Sequence, residues 1–403
     1  EFINTGTWEQ RKLEDLGSFK NGMNFDKSAM GHGHPFINLQ NIFGKTVDDD
    51  KDLGLAVSSE KQRNEYNLLK GDILFIRSSV KPEGVGEAAL VPKNFENTTF
   101  SGFIIRFRPH ITIDDEFKRV IFATKTVRNQ IMALATSSAN TNINQISLGK
   151  IIIELPELSE QSKIGNLFKQ LDNAIALHQR KLDNAKELKS AYLSEMFPAE
   201  GERKPKRRFA GFTDDWEQRK LKELTEVITK GTTPKDKSGK GSINFVKVEN
   251  INKSSGEIDI KSKITENEHE GYLKRSQLKD GDILFSIAGT LGRTAIVKKE
   301  LLPANTNQAL AIIRLDEGDK NYITTFLNGR AAEDFIKKNP TVGAQPNLSL
   351  EQVGDLLIEI PSLEEQTKIG SFFKQLDDTI ALHQHKLEKL KNIKQAYLNE
   401  LFV

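Results

Sequence analysis

The sequence contains no cysteine, which excludes disulfide bridges and thiolate zinc sites, so stability must come from packing. No apolar run approaches the roughly 18 residues of a membrane span, and the first residues lack the charged-then-apolar order of a secretory signal. We therefore expect a cytoplasmic location. An excess of one charge is also missing: 58 Lys and Arg face 56 acidic residues, a net charge of +2. Any nucleic-acid-binding surface must therefore be local.

Motifs for nucleotide hydrolysis and methyl transfer are also absent. The sequence has no glycine-rich loop ending in Gly-Lys-Ser/Thr, the motif for binding nucleotide phosphates. It also lacks the Asn-Pro-Pro-aromatic motif that is expected in adenine methyltransferases. The stretch from Gly84 to Ala89 resembles a dinucleotide fingerprint only formally, because no βαβ pattern surrounds it. His32 and His34 lie in a glycine-rich stretch without a nearby carboxylate, which favours a plain loop over a metal site. We predict no catalytic residue, metal or cofactor in this chain.

What the sequence does contain is an internal repeat. The string WEQRKL starts at Trp8 and again at Trp216, and FINLQNI from Phe36 returns as FVKVENI from Phe245. GDILF occurs once in each half, with turn residues leading into a short apolar run that is typical of a strand. The chain is therefore built from two copies of one plan.

Each half ends in an apolar run closed by a proline, IIIELP and LLIEIP, and the strongest match follows it. Residues 156–197 and 361–402 are identical at about 26 of 42 positions. Between the matched strings the halves differ freely, as in SSVKPEGVGEAAL against SIAGTLGRTAIVK. One part of the repeat is thus constant and another part varies.

Both constant segments predict a long amphipathic helix. Apolar residues recur alternately four and three apart, which is the spacing of a heptad seam. Matching seam positions hold His178 and His383, where a polar residue is expected to set the helix register rather than perform acid–base chemistry. The spacing from Ser362 to Glu365 predicts a capping box at the start of the second helix. The predicted seam comprises Ile164, Phe168, Leu171, Ile175, His178 and Leu182 in the first helix, and Ile369, Phe373, Leu376, Ile380, His383 and Leu387 in the second.

Two nearly identical helices with one apolar stripe each are predicted to pair with each other. About 38 residues at 1.5 Å per residue give a rod of roughly 57 Å. The linker over 198–215, about 18 residues at 3.3 Å each, spans that distance only when fully extended, so antiparallel pairing is favoured. The predicted fold is α+β, with two pseudo-twofold-related α/β domains separated by two long helices that form an antiparallel coiled coil. The predicted segments are a first domain at 1–155, a spacer helix at 156–197, a basic linker at 198–215, a second domain at 216–360 and a second spacer helix at 361–403.

The ordered set of motifs resembles the DNA-specificity subunit of type I restriction-modification enzymes. The residues that carry the resemblance are RFAGFTDDWEQRKL from Arg208 to Leu221, GTTP from Gly231 to Pro234, GDILF in both halves, and Pro-x-Leu-x-Glu-Gln at Pro156 and Pro361. The likeness covers essentially the whole chain. The first half lacks the RFAGF sequence before Trp8. Because the chain begins with Glu-Phe rather than Met, we expect its natural N-terminus to lie elsewhere.

The resemblance implies that the variable domains are target-recognition domains, each reading one half of a split, asymmetric site in double-stranded DNA. It implies that the helices set the gap between the half-sites and, with the domains, dock two methyltransferase subunits that use S-adenosylmethionine. Endonuclease/translocase subunits that use ATP and Mg²⁺ would complete the restriction enzyme. In this scheme the chain is a non-catalytic subunit. Half-sites one DNA turn apart, roughly 34 to 36 Å, fit the length of the rod.

Candidate DNA contacts are polar or basic side chains in the variable loops, because base edges and phosphates are bound by such donors and acceptors. They flank glycine-containing turns or follow the GDILF strand. In the first domain they are Lys20, Asn21, Asn24, Arg77, Ser78, Ser79 and Lys81. In the second they are Lys230, Thr232, Thr233, Lys235, Arg293, Asn305, Asn307 and Gln308.

Other charged groups are predicted to be solvated surface. They include the acidic run from Asp48 to Asp52 and the pair Arg106 and Arg108, which alternate along one face of a predicted strand. The alternative function is a two-headed coiled-coil scaffold that binds proteins, which the net charge of +2 favours. Steep salt dependence of DNA binding would distinguish a DNA-binding subunit from such a scaffold.

Overall fold

A computed structural model describes residues 8–44, 46–47, 53–137, 140–199, 201–339 and 347–402; the acidic run from Asp48 to Asp52 and the first seven residues lie outside these ranges. The chain forms two compact units. Unit 1 comprises Glu1–Ala176 and Glu388–Val403, and unit 2 comprises Leu177–Leu387. Within the described ranges, no helix is long and apolar enough to cross a membrane.

The first half of the chain alternates short strands and helices before the first long helix. Its strands are β1 (Glu9–Lys12), β2 (Gly17–Asn21), β3 (Met30–Ile37), β4 (Gly54–Ala56), β5 (Ile73–Ile76), β6 (Ser78–Ser79), β7 (Ala88–Leu90), β8 (Thr99–Phe100), β9 (Ile104–Pro109), β10 (Thr136–Ser137), β11 (Thr141–Asn142) and β12 (Ile152–Leu155). Its helices are α1 (Glu60–Glu65), α2 (Asp115–Ile121), α3 (Lys125–Leu134), α4 (Gln145–Gly149) and the long α5 (Leu158–Glu195).

The second half repeats this order. Its strands are β13 (Glu217–Lys220), β14 (Thr225–Lys230), β15 (Ile243–Val246), β16 (Ser262–Ile264), β17 (Ile283–Ser286), β18 (Thr294–Ile296), β19 (Ala304–Thr306), β20 (Leu310–Leu315) and β21 (Leu357–Ile360). Its helices are α6 (Glu266–Glu270), α7 (Lys320–Leu327), α8 (Arg330–Lys338), α9 (Leu350–Gly354) and the long α10 (Leu363–Leu401).

The sheets of the two units correspond strand by strand. The four-stranded sheet β2-β9-β5-β7 of unit 1 matches β14-β20-β17-β18 of unit 2, and the three-stranded sheet β4-β3-β8 matches β16-β15-β19. The strand pair β1-β12 matches β13-β21. Among these described strands, each unit has one parallel pair, and it lies in the three-stranded sheet. The pairs are β3 with β8 in unit 1 and β15 with β19 in unit 2.

The GDILF strand lies at the centre of each unit, with a hydrophobic core on either face. In β5, Ile73 and Phe75 face the core formed with α2 and α3, whereas Leu74 and Ile76 face a second core that includes Phe100. In a strand, alternate side chains point to opposite faces, so burial on both faces requires a continuous apolar run. This explains why ILF in GDILF has no polar residue.

Each long helix begins inside its own domain. The side-chain amide of Gln161 donates to the carbonyl of Pro156 at 2.9 Å, and Gln366 makes the same bond to Pro361 at 2.9 Å. The predicted capping box is only half formed: the Ser362 hydroxyl accepts a bond from the backbone nitrogen of Glu365 at 3.4 Å. The Glu365 side chain instead binds an arginine of the linker, described below.

The seam residues divide into two groups by what they contact. Those in the first turns are nearly fully buried, but they pack into the domain cores rather than only against the other helix; they are Ile164, Phe168, Ile369 and Phe373, with Leu171 and Leu376 at the edges of the same cores. Further along, Leu182, Ile380 and Leu387 are buried, and Ile175, His178 and His383 are half-buried. The heptad pattern therefore continues into each domain core.

The helices run antiparallel within each unit. In unit 1 the Phe168 ring near the start of α5 lies 6.2 Å from the Phe402 ring just beyond α10. In unit 2, towards the end of α5, Lys189 binds Asp377 at 2.5 Å, and the Tyr192 ring packs on the Phe372 ring near the start of α10 at 5.0 Å.

The two seam histidines meet in unit 2. His178 Nδ1 lies 3.0 Å from His383 Nδ1, a hydrogen bond in which one ring donates and the other accepts. Partial burial of His383 and the nearby His178, Lys181 and Lys386 lower the pKa of His383. A hydrogen bond between matching seam positions of the two helices favours the structural role that the sequence predicts.

The α+β prediction, with a repeated domain and an antiparallel helix pair, is confirmed by the fold. The division into compact units differs from the predicted segments, because it cuts both long helices near their middles rather than at their ends. The reason is that the start of each helix and the end of the other pack together with one domain. Strands β12 and β21 end at Leu155 and Ile360, next to the predicted domain ends.

Candidate nucleic-acid interface

A buried aspartate–arginine pair anchors the GDILF strand of each unit. Asp72 accepts bonds from Arg108 Nε and Nη2 at 2.7 and 2.6 Å, and Asp282 accepts two bonds from Arg314 at 2.8 Å each. These bonds raise the pKa of Arg314. Each aspartate also caps the preceding turn by accepting a backbone N–H three residues earlier, from Leu69 or Lys279. GDILF is therefore a structural anchor that positions the loop after it.

The prediction of a solvated face for Arg106 and Arg108 is wrong. Arg106 is buried at 7% exposure and donates to the backbone and side-chain oxygens of Asn67, while Arg108 binds the buried carboxylate of Asp72. Burial, followed by the nearby Arg108, lowers the pKa of Arg106. A strand packed on both faces has no solvated face in its middle, which the alternation of two arginines alone did not reveal.

Three loops of unit 1 meet around Arg77. Its backbone nitrogen donates to the carbonyl of Phe103 at 2.8 Å, and its guanidinium donates to the carbonyl of Gly102 at 3.3 Å. The Gly102 nitrogen donates to the carbonyl of Met23 at 2.7 Å, which brings the exposed Asn24 to the same place. A Cβ on Gly102 would lie 2.0 Å from Asn24 Oδ1, so a side chain at this position would displace the Asn24 amide. The structure thus groups Asn24 with Arg77, as a shared contact surface requires.

The remaining candidates of unit 1 lie nearby along the chain but differ in what they bind. Ser78 and Ser79 form β6, and Lys81 is exposed in the loop that follows. Lys20 binds Glu65 at 2.6 Å and lies 4.5 Å from the centre of the Tyr66 ring. That bond lowers the pKa of Glu65. Lys20 is therefore already paired. Asn21 is half-buried, with an Oδ1 that has no partner among the described residues.

Sequence reasoning missed a polar hairpin and an exposed aromatic ring beside Arg77. Strands β10 and β11 form a hairpin that pairs with β6, with Thr141 opposite Ser79 and Asn142 opposite Ser78. Phe103 is 56% exposed. The sequence signal for the hairpin was the run TSSANTN at residues 136–142. This run lies 57 or more residues after Ser79, so the sequence did not reveal that the two segments pair.

The candidate loops of unit 2 form a cluster around Gly231. A Cβ on Gly231 would lie 2.1 Å from the carbonyl oxygen of Thr306, the last residue of β19. Glycine at this position therefore allows the GTTP loop to pass close to the end of β19. Thr232 donates its backbone N–H to that carbonyl at 3.0 Å, and the Thr233 hydroxyl donates to the Gln308 side chain. Lys230 at the end of β14 and Gln308 are exposed, and Asn307 is half-buried between Thr306 and Gln308.

Two residues that the sequence did not single out extend this cluster. Arg275 Nη2 lies 3.4 Å from the Thr232 hydroxyl, and the Tyr272 ring, 52% exposed, lies 4.6 Å from Lys235 Nζ. Both belong to the segment between α6 and the GDILF strand. An exposed arginine and an exposed aromatic ring are suited to base and phosphate contacts. Their distance from GTTP in sequence concealed them.

Two predicted contacts of unit 2 have internal roles instead. Asn305 is fully buried: its Oδ1 lies 2.5 Å from His269 Nδ1, and its amide donates to the Leu273 carbonyl and the Ser276 hydroxyl. Arg293 donates through one Nη to two backbone carbonyls, at 3.3 and 2.8 Å, and its Nε is buried. These side chains brace loops from beneath, and periodicity could not distinguish them from surface residues.

No group of three or more His, Asp or Glu side chains placed to hold a metal ion occurs in the described part of the chain. His32 and His34 lie in β3, where His32 is exposed and His34 is half-buried. The candidate interface consists of amides, hydroxyls, arginines and lysines, together with exposed aromatic rings, and such groups form hydrogen bonds, ion pairs and stacking contacts with a ligand.

Comparison with known proteins identifies relatives of this architecture. A family model described as "Type I restriction modification DNA specificity domain" matches residues 5–187 and again residues 213–392. The chain is similar to the putative type I restriction enzyme MjaX specificity subunit of Methanocaldococcus jannaschii, with 24% identity over 98% of this chain and 92% of that protein. The EcoBI specificity subunit of Escherichia coli is 26% identical over 47% of this chain and 41% of its own length.

Solved structures agree on the fold. The type I restriction-modification S subunit from M. genitalium aligns over 100% of this chain and 98% of its own, with a TM-score of 0.65 at 16% identity. The family model accounts for both repeats and for most of both long helices. The chain therefore belongs to the type I restriction-modification DNA specificity family, as a specificity subunit that carries the family's domain twice.

Proposed function

We propose that each unit reads one half of a bipartite, asymmetric site in double-stranded DNA. One observation carries this proposal: the two units share their sheets and anchoring pairs but present different side chains at corresponding loops. Sequence is read at base edges by such side chains, while phosphate contacts position the protein. Two different readers on one chain specify a non-palindromic site. Membership of the specificity family favours this function over a protein-binding scaffold.

The proposed contacts are those that lie on the described loop surfaces. In unit 1 they are Asn24, Arg77, Ser78, Ser79 and Lys81, with Lys20 and Asn21 beside them. In unit 2 they are Lys230, Thr232, Thr233, Lys235, Asn307 and Gln308, joined by Tyr272 and Arg275. Asn305 and Arg293 support these loops from inside.

The antiparallel helices are proposed to set the gap between the two half-sites. Inserting seven residues into α5 and seven at the matching level of α10 lengthens the pair by about 10.5 Å. At 3.4 Å per base pair, the preferred gap should grow by about 3 base pairs while both half-sites stay the same. A preferred gap that does not change would contradict the role of the helices as a ruler.

The partners proposed for this chain are two methyltransferase subunits and endonuclease/translocase subunits. Matching apolar residues are exposed at the helix starts, Leu158 and Leu363, and on the strands before them, Ile152 and Leu357. Equivalent apolar patches on both repeats suit two copies of one partner. In this scheme S-adenosylmethionine binds the methyltransferase, ATP and Mg²⁺ bind the endonuclease, and this chain is non-catalytic and cytoplasmic.

The experiment that tests the proposed function is sequencing of methylated bases in a host that expresses this chain with its methyltransferase. A split motif with two unlike halves and a constant gap is expected. Exchanging residues 216–360 for those of a relative should change one half of the motif only. Methylation without sequence preference, or a single continuous motif, would contradict the proposal.

A further inference from the structure

Unit 2 contains a cleft between the helix pair and the loops of its domain, here called the lysine cleft. Its helix wall includes Lys186 and Ser190 of α5, and its domain wall includes Lys253, Ser254 and Gly292. All of these residues belong to unit 2. The cleft therefore joins the constant part of the repeat to its variable part.

Two cations in the lysine cleft are free. Lys186 and Lys253 are exposed, and neither has an acidic partner within 4.0 Å among the described residues. The other lysines of the cleft are paired: Lys189 binds Asp377 at 2.5 Å, and Lys337 binds its helix neighbour Asp334 at 3.4 Å. Among the described residues that line the cleft, Glu333 is the only acidic one. Free cations on both walls of a cleft favour an anionic ligand.

The hydroxyl groups of the lysine cleft are also free to donate. Within the part of the chain that the structure describes, neither the Ser190 nor the Ser254 hydroxyl has a hydrogen-bond partner. The backbone nitrogen of Ser254 donates to Asn252 Oδ1 at 2.8 Å, which leaves the Ser254 hydroxyl unused. Two ammonium groups and two hydroxyls are the donors that proteins use to hold the phosphodiester oxygens of DNA. None of them carries information about bases.

The lysine cleft lies beside the loop after β17, whose counterpart in unit 1 carries proposed DNA contacts. Gly292 ends the loop after β17, which corresponds to the loop after β5 that carries Ser78 and Lys81. Ala288 in that loop forms a bridge to Asn347, as Ser78 pairs with Asn142 in unit 1. A duplex bound at the loop after β17, as its counterpart in unit 1 is proposed to bind DNA, would therefore pass close to the lysines.

We propose that the lysine cleft binds the sugar-phosphate backbone of duplex DNA next to the half-site that unit 2 reads. This inference rests on the proposed DNA-binding function and adds to it a contact made partly by the constant helix. The contact contributes affinity and holds the duplex against the helix pair, and it does not select bases. The helix pair thus contacts the same DNA in which it is proposed to set the gap between the half-sites.

The test is a salt series on the full chain bound to a fluorescent duplex that contains its mapped site. The double variant Lys186→Gln with Lys253→Gln removes two proposed phosphate contacts. The slope of log affinity against log salt should fall in magnitude by about 2, since each contact contributes about 0.9. The penalties for single-base changes in the half-site should stay the same as in the wild type, because the loss is uniform across sequences.

Matched variants make the result specific. Lys368→Gln with Lys374→Gln removes two lysines of α10 that already pair with Glu364 and Asp378. The slope of this control should remain that of the wild type, and Lys186→Arg with Lys253→Arg should retain it as well. Because all four lysines are exposed, the folds of these variants should be intact, which a thermal melt checks.

An unchanged slope in the Lys186 and Lys253 variant would overturn the inference, as would an equal fall in the control. An unchanged slope is also the result expected if the cleft holds an acidic segment of a protein partner. Failure of the proposed function has a different signature, since the wild type would then show no preference among base-substituted duplexes at any salt concentration.

Discussion

Unit 1 and unit 2 hold the starts of their long helices with the same bonds. The side-chain oxygen of Gln161 accepts from the backbone nitrogen of Asp114 at 3.0 Å, and Gln366 does the same with Asp319 at 3.0 Å. A Cβ on Gly165 or on the matching Gly370 would lie 2.7 Å from a backbone nitrogen of α2 or α7. The repeated Glu-Gln-x-Lys-Ile-Gly is thus explained by how each helix docks on its domain.

The same two units carry opposite charges at a matching loop position. Glu65 and Arg275 each precede the aspartate of GDILF by seven residues. Glu65 binds Lys20 and neutralises it, whereas Arg275 is exposed and contacts the hydroxyl of Thr232. Unit 2 therefore presents more free positive charge at this loop than unit 1. The bonds that join structural elements are therefore the same in both units, whereas the side chains that face outward differ between them.

The largest expected effect tests whether the anchoring pairs are equivalent. Replacing Arg108 or Arg314 by Met leaves a carboxylate, 2% or 1% exposed, without its cation. Each change should lower the free energy of unfolding of its own unit by about 3 to 5 kcal/mol. Urea unfolding followed by tryptophan fluorescence measures this, because Trp8 reports on unit 1 and Trp216 on unit 2.

The control for this prediction is Lys222→Met, which removes an exposed partner of Asp355. Exposed ion pairs contribute about 0 to 1 kcal/mol, so this variant should unfold almost as the wild type does. If Arg108→Met and Arg314→Met had effects as small as that of Lys222→Met, the anchoring role of GDILF would be disproved.

A second prediction concerns a place where the repeat is not equivalent. Glu365 is fully buried and accepts two bonds from Arg208, at 2.7 and 2.8 Å, whereas the matching Glu160 accepts a bond from Trp8 Nε1 at 3.3 Å and no arginine bond among the described residues. Arg208→Met should therefore destabilise unit 2 by about 3 kcal/mol, because it leaves a buried charge unpaired.

The matched change Glu160→Met removes the acceptor of the Trp8 Nε1 bond and should destabilise unit 1 by about 1 kcal/mol, the net value of one hydrogen bond. The same fluorescence-detected unfolding measures both variants. Equal effects in the two units would mean that the linker arginine contributes nothing particular to unit 2.

A third prediction separates the two readers. Arg275→Ala should weaken discrimination at one or more base pairs of the half-site read by unit 2 by about 1 to 3 kcal/mol, and leave the other half-site unaffected. Arg77→Ala should do the reverse. Competition binding with duplexes substituted at single base pairs measures both. A loss spread evenly over both half-sites would place these arginines on phosphates instead of bases.

The smallest expected effect concerns the histidine pair of the helices. The folded-state pKa of His383 is lowered below its ordinary value of about 6.5. Below that value the unfolded chain binds the proton more readily than the folded chain, so stability should fall as pH drops from 7 through 6. Thermal melts of the wild type should show this loss, and His383→Gln should reduce it. Melts of equal pH dependence in both proteins would contradict the assignment.

Much of the fold was predictable because it depends on local pattern. The period of the apolar residues determined the long helices, and the continuous apolar run of GDILF determined a strand buried on both faces. The repeat itself predicted that both halves share a topology. Most of the candidate loops were also predictable, since glycines such as Gly231 mark the turns where loops cross.

The tertiary structure alone decided which polar residues face outward. Arg108 meets Asp72 across 36 residues, Arg208 meets Glu365 across 157, and Asn305 is buried by contacts with residues about 30 positions away. A one-dimensional pattern shows that a side chain is polar, but burial and pairing depend on what the folded chain brings next to it. The sequence by itself therefore determined a duplicated frame, and long-range packing decided which members of each loop remain free to bind a partner.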